Sequence, residues 1–167
     1  MNDNEELIQA MIDYDTGMPK QIQHFLKVYE FAHLIAIGEK LPEDIRQTLE
    51  TAAIVHDIGI RNSLKIYGDS DGKHQEQLGP AEARTLLVRL GYPQEQIQRV
   101  EFLIGHHHTY SHIEGDDYQI LVEADFLVNL YEDQESKQAA ERVREKIFRT
   151  KTGKDICTRM FGLKPET

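Results

Sequence analysis

The stretch Thr51-Ala52-Ala53-Ile54-Val55-His56-Asp57-Ile58-Gly59-Ile60 decides how the rest of the chain is read. Its small and apolar residues predict the buried end of a helix, and His56 and Asp57 follow directly. Burying an unpaired imidazole or carboxylate costs several kcal/mol, so each needs a partner. A divalent cation is one such partner. A helix that simply ends in a polar pair, with His56 bonded to backbone and Gly59 as its stop, is the other reading. Two adjacent residues do not decide between them, so the choice rests on the remaining sequence.

Composition narrows the field. At 167 residues the chain fits a single domain, expected over 1–167, that buries a sizeable core without structural metal or disulfides. Its one cysteine, Cys157, excludes a disulfide framework and a thiolate zinc cluster, and points to a reducing cytoplasm. The acidic start, Met1 to Glu6, is unlike a secretory signal, and no apolar run approaches the roughly 20 residues of a membrane span. A formal net charge of −10 argues against non-specific nucleic-acid binding, which depends on Lys and Arg contacts to phosphate. A small anionic substrate remains compatible if a metal supplies positive charge. Oligomeric state is left open.

In chain order the periodicity predicts helices throughout and no strands. Residues 4–13 form a short helix with Leu7, Ile8 and Met11 on one side. A long helix runs from Pro19 to about Lys40. On it, Val28, Phe31 and Ile35 lie within about 40° of His24, whereas His33 falls about 180° away. His24 therefore shares the apolar face, and His33 is expected at the solvated rim. A helix from Asp44 to Asp57 delivers the His-Asp pair.

Residues 58–78, with Gly59, Gly68 and Gly72 among Ser, Asn and Asp, read as the longest irregular stretch, carrying Arg61, Lys65, Lys73 and His74. Gly79-Pro80 is expected to open the next helix, to Leu90, followed by one from Pro93 to His107. The latter closes on His106-His107-His108. Neighbours on a helix are about 100° apart, so one or two of these imidazoles reach a site while the third faces solvent.

Tyr118 to Tyr131 is apolar nearly all round and predicts a central helix. Of its carboxylates, Asp125 shares a face with Leu121, Val122 and Val128 and is the better candidate for an inward ligand than Glu123. From Ser136 to Lys154 the chain carries seven Lys or Arg against two Glu, a solvated basic face or an attractor for an anion.

His24, then His56-Asp57, then Asp125, within Ile54-Val-His-Asp-Ile-Gly59 and Leu121-Val-Glu-Ala-Asp125, resembles the HD superfamily of metal-dependent phosphohydrolases over residues 20–132, with 136–162 as a basic helical extension. Gly79-Pro-Ala-Glu-Ala83 and Ile104-Gly-His-His-His-Thr109 are similar to its small single-domain bacterial branch, some members of which hydrolyse dinucleoside polyphosphates. The resemblance implies an all-α bundle of about six to eight helices in which His24, His56, Asp57 and Asp125 bind one metal. His74, His107 and His108 are the candidates for a second. Leu78 stands where related enzymes carry His, and Ile60-Arg61 where many carry Lys. Imidazole and carboxylate donors suit Fe, Mn, Co, Zn or Ni better than Mg.

The expected activity is hydrolysis of a small phosphorylated compound such as a nucleotide or dinucleoside polyphosphate. Asp57 would bind metal and orient water, His107 or His108 would protonate the leaving oxygen, and Arg61, Lys65 or Lys73 would neutralise phosphate charge. A nucleotide-binding regulatory module without turnover and a di-iron oxygenase are the alternatives.

Overall fold

The computed structural model describes residues 4–166, so part of the acidic start lies outside the described residues. All regular structure within them is helical: α1 (Asn4–Tyr14), α2 (Pro19–Gly38), α3 (Glu43–Val55), α4 (Ile60–Tyr67), α5 (Gly72–Arg89), α6 (Gln94–Ile104), α7 (Asp116–Glu132), α8 (Lys137–Lys146) and α9 (Lys151–Phe161). The all-α bundle matches the expectation from sequence. As its composition predicts, α7 is the central helix, buried on most of its circumference and packed on α2 and α3. Val28, Ala32 and Ile35 of α2, Ala52 and Ile54 of α3, and Leu121 and Val128 of α7 belong to one continuous core. A helix apolar all round has to sit where neighbours cover every side.

The segment 58–78 differs from the expected loop. It contains α4 and the start of α5, with only four residues, Gly68 to Asp71, between them. Gly68 closes α4 in the left-handed region at φ 75°, its N–H donating to the Leu64 carbonyl. The Asp71 side chain opens α5 by accepting from the Lys73 N–H. The polar residues that suggested a loop are the caps of two helices.

The helix expected to begin at Gly79-Pro80 is likewise corrected, because both residues lie inside α5. An interior proline forfeits one backbone hydrogen bond, which made a boundary the natural reading. At this point α5 crosses the turn that follows His56-Asp57. A Cβ on Gly59 would stand 2.9 Å from both the Gln75 carbonyl oxygen and the Gly79 nitrogen, so only glycine permits the crossing.

The basic extension folds back on the bundle as α8 and α9, both touching α7. Its attachment point is Glu123, fully buried, whose carboxylate accepts from the Arg149 and Thr150 N–H groups, the Thr150 hydroxyl and the Gln119 amide. Arg144 is also buried rather than solvated, donating to Thr158 Oγ1 and the Lys164 carbonyl. Cys157 is buried, and burial pushes its thiol up to about 11. Among the described residues no helix is long and apolar enough to cross a membrane.

Candidate metal centre

Three helix ends and one helix face converge. His56 and Asp57 leave the end of α3, His107 and His108 leave the end of α6, His24 lies one turn into α2, and Asp125 lies mid-way along α7. Each buried imidazole is fixed through its outer nitrogen. His56 Nδ1 lies 2.7 Å from the Ala53 carbonyl oxygen, and His107 Nδ1 2.7 Å from that of Ile104. A carbonyl only accepts, so Nδ1 carries a proton in both, and Nε2 is the atom left to take a metal or a second proton. His24 Nδ1 is held at 2.7 Å by Glu132, itself paired with Lys27 at 2.8 Å.

The inner atoms crowd together. His24 Nε2 is 3.1 Å from His56 Nε2, 3.1 Å from Asp57 Oδ2 and 3.1 Å from Asp125 Oδ1. His56 Nε2 is 3.3 Å from Asp57 Oδ2 and 3.4 Å from Asp125 Oδ1. Donor atoms about 2.1 Å from one ion stand roughly 3.0 Å apart in octahedral and 3.4 Å apart in tetrahedral arrangement. The observed spacings span that interval, so the residues fit a divalent ion. Asp57 also turns its other oxygen, Oδ1, to His107 Nε2 at 3.3 Å. Three overlapping groups result: His24, His56 and Asp125; His56, Asp57 and His107; His107, His108 and Asp125.

The electrostatics agree. Burial works against a charge on His24, but Asp125 and Asp57 outweigh it and raise its pKa to about 11. Burial likewise opposes charge on His56, and the same two carboxylates raise it to about 10. Burial pushes Asp57 and Asp125 up, yet the facing imidazoles bring Asp57 well below the carboxylate range and lower Asp125 too. Two carboxylates, Asp125 buried and Asp57 half-buried, thus demand two positive charges. Protons on histidine meet that demand, and so does one divalent cation.

His108 differs from its neighbours. Burial first, and His107 second, lower its pKa to about 4, and Nε2 lies 3.0 Å from Gln75 Oε1. His106 faces away from the centre, stacked on Phe102 and bonded to the Phe102 carbonyl. His74 stands apart from all three groups. It is stacked on Tyr67 at 3.7 Å and bonded to Asp69 at 2.8 Å. His33, expected at the solvated rim, bonds to buried Glu50 at 2.8 Å.

The centre opens into a cleft of about 260 Å³ lined in part by His24, Asp57, His108 and Asp125. None of the three expected loop cations lines it. Arg61 donates to the Tyr14 carbonyl, Lys65 is exposed, and Lys73 lies 3.2 Å from Glu76 and 3.0 Å from Thr109. Lys20, which sequence reasoning passed over, does line the cleft, as do Gln75, Asn129 and Glu132. Two signals were available. Lys20 lies four residues before His24 on one helix, and Asn129 and Glu132 follow Asp125 at i+4 and i+7, a polar stripe on an apolar helix.

Comparison with known proteins follows the same lines. The model of the HD domain family matches residues 22–154, which extends beyond the motif-bearing core through α8 into α9. A crystal structure of a predicted HD superfamily hydrolase from an uncultured Thermotogales bacterium superposes with a TM-score of 0.69 at 26% identity, over 95% of this chain and 84% of that one. Curated proteins yield no match. With that match over most of the chain, and His24, His56, Asp57 and Asp125 gathered into one buried centre, the chain belongs to the HD domain family.

Proposed function

We propose that the protein is a metal-dependent phosphohydrolase acting on a small phosphorylated compound of the nucleotide class. One observation carries the reading: the inner atoms of His24, His56, Asp57 and Asp125 lie at ligand spacing at the base of an open cleft. His24, His56, Asp57 and Asp125 would hold a divalent ion, which would supply Lewis acidity toward a phosphoryl oxygen and acidify a water. Asp57, which lines the cleft, would orient that water. Lys20 at the rim meets phosphate charge, the role first assigned to Arg61, Lys65 and Lys73. A pKa of about 4 leaves His108 neutral at pH 7, suited to accept a proton or bind metal rather than protonate a leaving oxygen.

The two faces of Asp57 support a second ion. One oxygen faces His24 and His56 and the other faces His107, and His107 groups with His108 and Asp125. A second metal would therefore rest on His107 and His108, without His74. The test is metal-loaded wild type beside Asp57→Ala, assayed for phosphate release from nucleoside phosphates. Loss of hydrolysis by two orders of magnitude or more is expected. Full rate with full metal content in the variant would contradict the assignment, and tight nucleotide binding with no product from wild type would favour a regulatory module.

A further inference from the structure

The start of α5 converges on one histidine. Gly72, Gln75 and Glu76 stand at i, i+3 and i+4, so they share one face of the helix, and all three meet His108. Glu76 Oε2 accepts from the His108 backbone N–H at 3.1 Å and from the Thr109 hydroxyl at 2.9 Å. A Cβ on Gly72 would stand 2.9 Å from His108 Cγ, so the backbone of the first turn lies directly against this side chain. Gln75, buried at the wall of the cleft, places its Oε1 3.0 Å from His108 Nε2. The backbone and the ring of His108 are thus held by the same helix face.

We infer that Gln75 is a positioning residue of the metal centre: it fixes His108 as the Nε2–H tautomer and leaves Nδ1 as the atom this side chain offers to a second ion. The inference rests on the two-ion reading of the centre given above. Its first step is the orientation of the Gln75 amide. Gln75 Nε2 lies 2.7 Å from the Ser70 carbonyl oxygen, which only accepts, so the nitrogen donates there and Oε1 turns to His108. An amide oxygen also only accepts, so His108 Nε2 has to carry a proton.

Nδ1 is then the open nitrogen of the neutral ring. This reverses the arrangement at His56 and His107, where Nδ1 donates to a backbone carbonyl and Nε2 is left open. A metal-binding imidazole has its tautomer set by the partner of its other nitrogen, and Gln75 does for His108 what the Ala53 and Ile104 carbonyls do for His56 and His107. One ligand atom each from His107, His108 and Asp125 lie within 4.8 Å of one another, close enough to share an ion. No backbone carbonyl is needed at His108, because a side chain one helix away supplies the acceptor.

The test reads the tautomer and the ion separately. Long-range proton–nitrogen correlation spectra of protein carrying isotope-labelled histidine are recorded at neutral pH, metal-free and at increasing zinc, with His108→Ala identifying the His108 signals. Wild type is compared with Gln75→Met and Gln75→Glu. Both substitutions give up the donation to Ser70, but only methionine removes the acceptor that faces His108. Metal-free wild type is expected to show His108 protonated at Nε2, and a second equivalent of zinc should shift Nδ1 while the Nε2 proton persists. Gln75→Met should mix the tautomers and weaken the second ion about ten-fold or more, with the first ion unchanged. Gln75→Glu should keep the wild-type tautomer and hold the second ion at least as tightly. His108 protonated at Nδ1 in wild type, zinc on its Nε2, or a second ion bound equally by wild type and Gln75→Met overturns the assignment, and so does the absence of a second ion in wild type. The expected tautomer and second ion without turnover of any phosphate ester would count against hydrolysis and leave the role of Gln75 standing.

Discussion

His24 Nε2 and His56 Nε2 lie 3.1 Å apart, although each ring already has its Nδ1 committed, one to Glu132 and one to the Ala53 carbonyl. Two neutral imidazoles in that arrangement would point lone pairs at one another. Either a proton or a cation has to stand between them and the two facing carboxylates. The chemistry open to this protein depends on which of the two it is.

Stability of chelator-treated protein should fall with alkaline pH. His24 and His56 have folded values raised to about 11 and about 10 against 6.5. A raised value means the folded state binds the extra protons, so this contribution is complete below about pH 6.5 and is lost as pH climbs through the folded values. Asp57 and Asp125 are lowered, so theirs is present above the ordinary carboxylate range and lost as pH falls through the folded values. The melting temperature without metal should therefore be highest between about pH 4 and 6.5. Manganese should shift the optimum upward, because binding displaces those protons. Thermal melts with and without metal from pH 5 to 9 check this, and identical profiles would contradict it.

Glu132→Gln tests the orientation of His24. The substituted amide would keep one acceptor for Nδ1–H but lose the charge that Lys27 and His24 share. Partners of this kind typically contribute 10- to 100-fold to metal affinity. Competition against a chromogenic chelator should show a loss within about that range, with the melting temperature of the metal-free protein changed far less than by losing a ligand. Lys27→Ala, one contact further out, should lose less.

Glu123→Ala should separate structure from site. The carboxylate collects two backbone N–H groups and a hydroxyl where α9 begins, and its loss strands these three, while the Gln119 amide that also donates to it keeps the Ile147 carbonyl. A cost of about 3 kcal/mol is expected. Metal stoichiometry in the folded fraction should stay at the wild-type value, in contrast to Asp125→Ala. Denaturant unfolding beside elemental analysis reads both.

Gly59→Ala should damage the site through the backbone alone. The new Cβ would meet the Gln75 carbonyl oxygen and the Gly79 nitrogen at 2.9 Å, and neither is a flexible side-chain end. Relief moves α5 off the His56-Asp57 turn, at about 1–3 kcal/mol for overpacking. Weaker metal binding should accompany the lower melting temperature. An unchanged melt would show that the crossing has room for a Cβ.

The site was more legible in the sequence than the path of the chain around it. His24 and Asp125 could be placed because both sit on long periodic helices, where about 100° per residue assigns a face. His56-Asp57 stood out because ionisable residues ended an apolar run. The 58–78 segment was misread because Gly68 and Asp71 are caps of two helices and Pro80 is tolerated inside one, all of which look locally like loop. The cations Arg61, Lys65 and Lys73 followed that error, since their expected approach to the site depended on a loop folding over it. Glu123 and Asp125 lie about 200° apart, yet both are buried, because α7 is enclosed on opposite sides by the His/Asp cluster and by α9. Only tertiary packing settles that.

The proposed function requires His24, His56, Asp57 and Asp125 to hold a divalent metal. Its most direct measurement is metal per chain by elemental analysis, on protein purified without chelator, for wild type, His56→Ala and His107→Ala. At least about one ion is expected in wild type and loss of that ion in His56→Ala, with His107→Ala removing at most a second. No bound metal in wild type after reloading, or wild-type stoichiometry retained in His56→Ala, would contradict it.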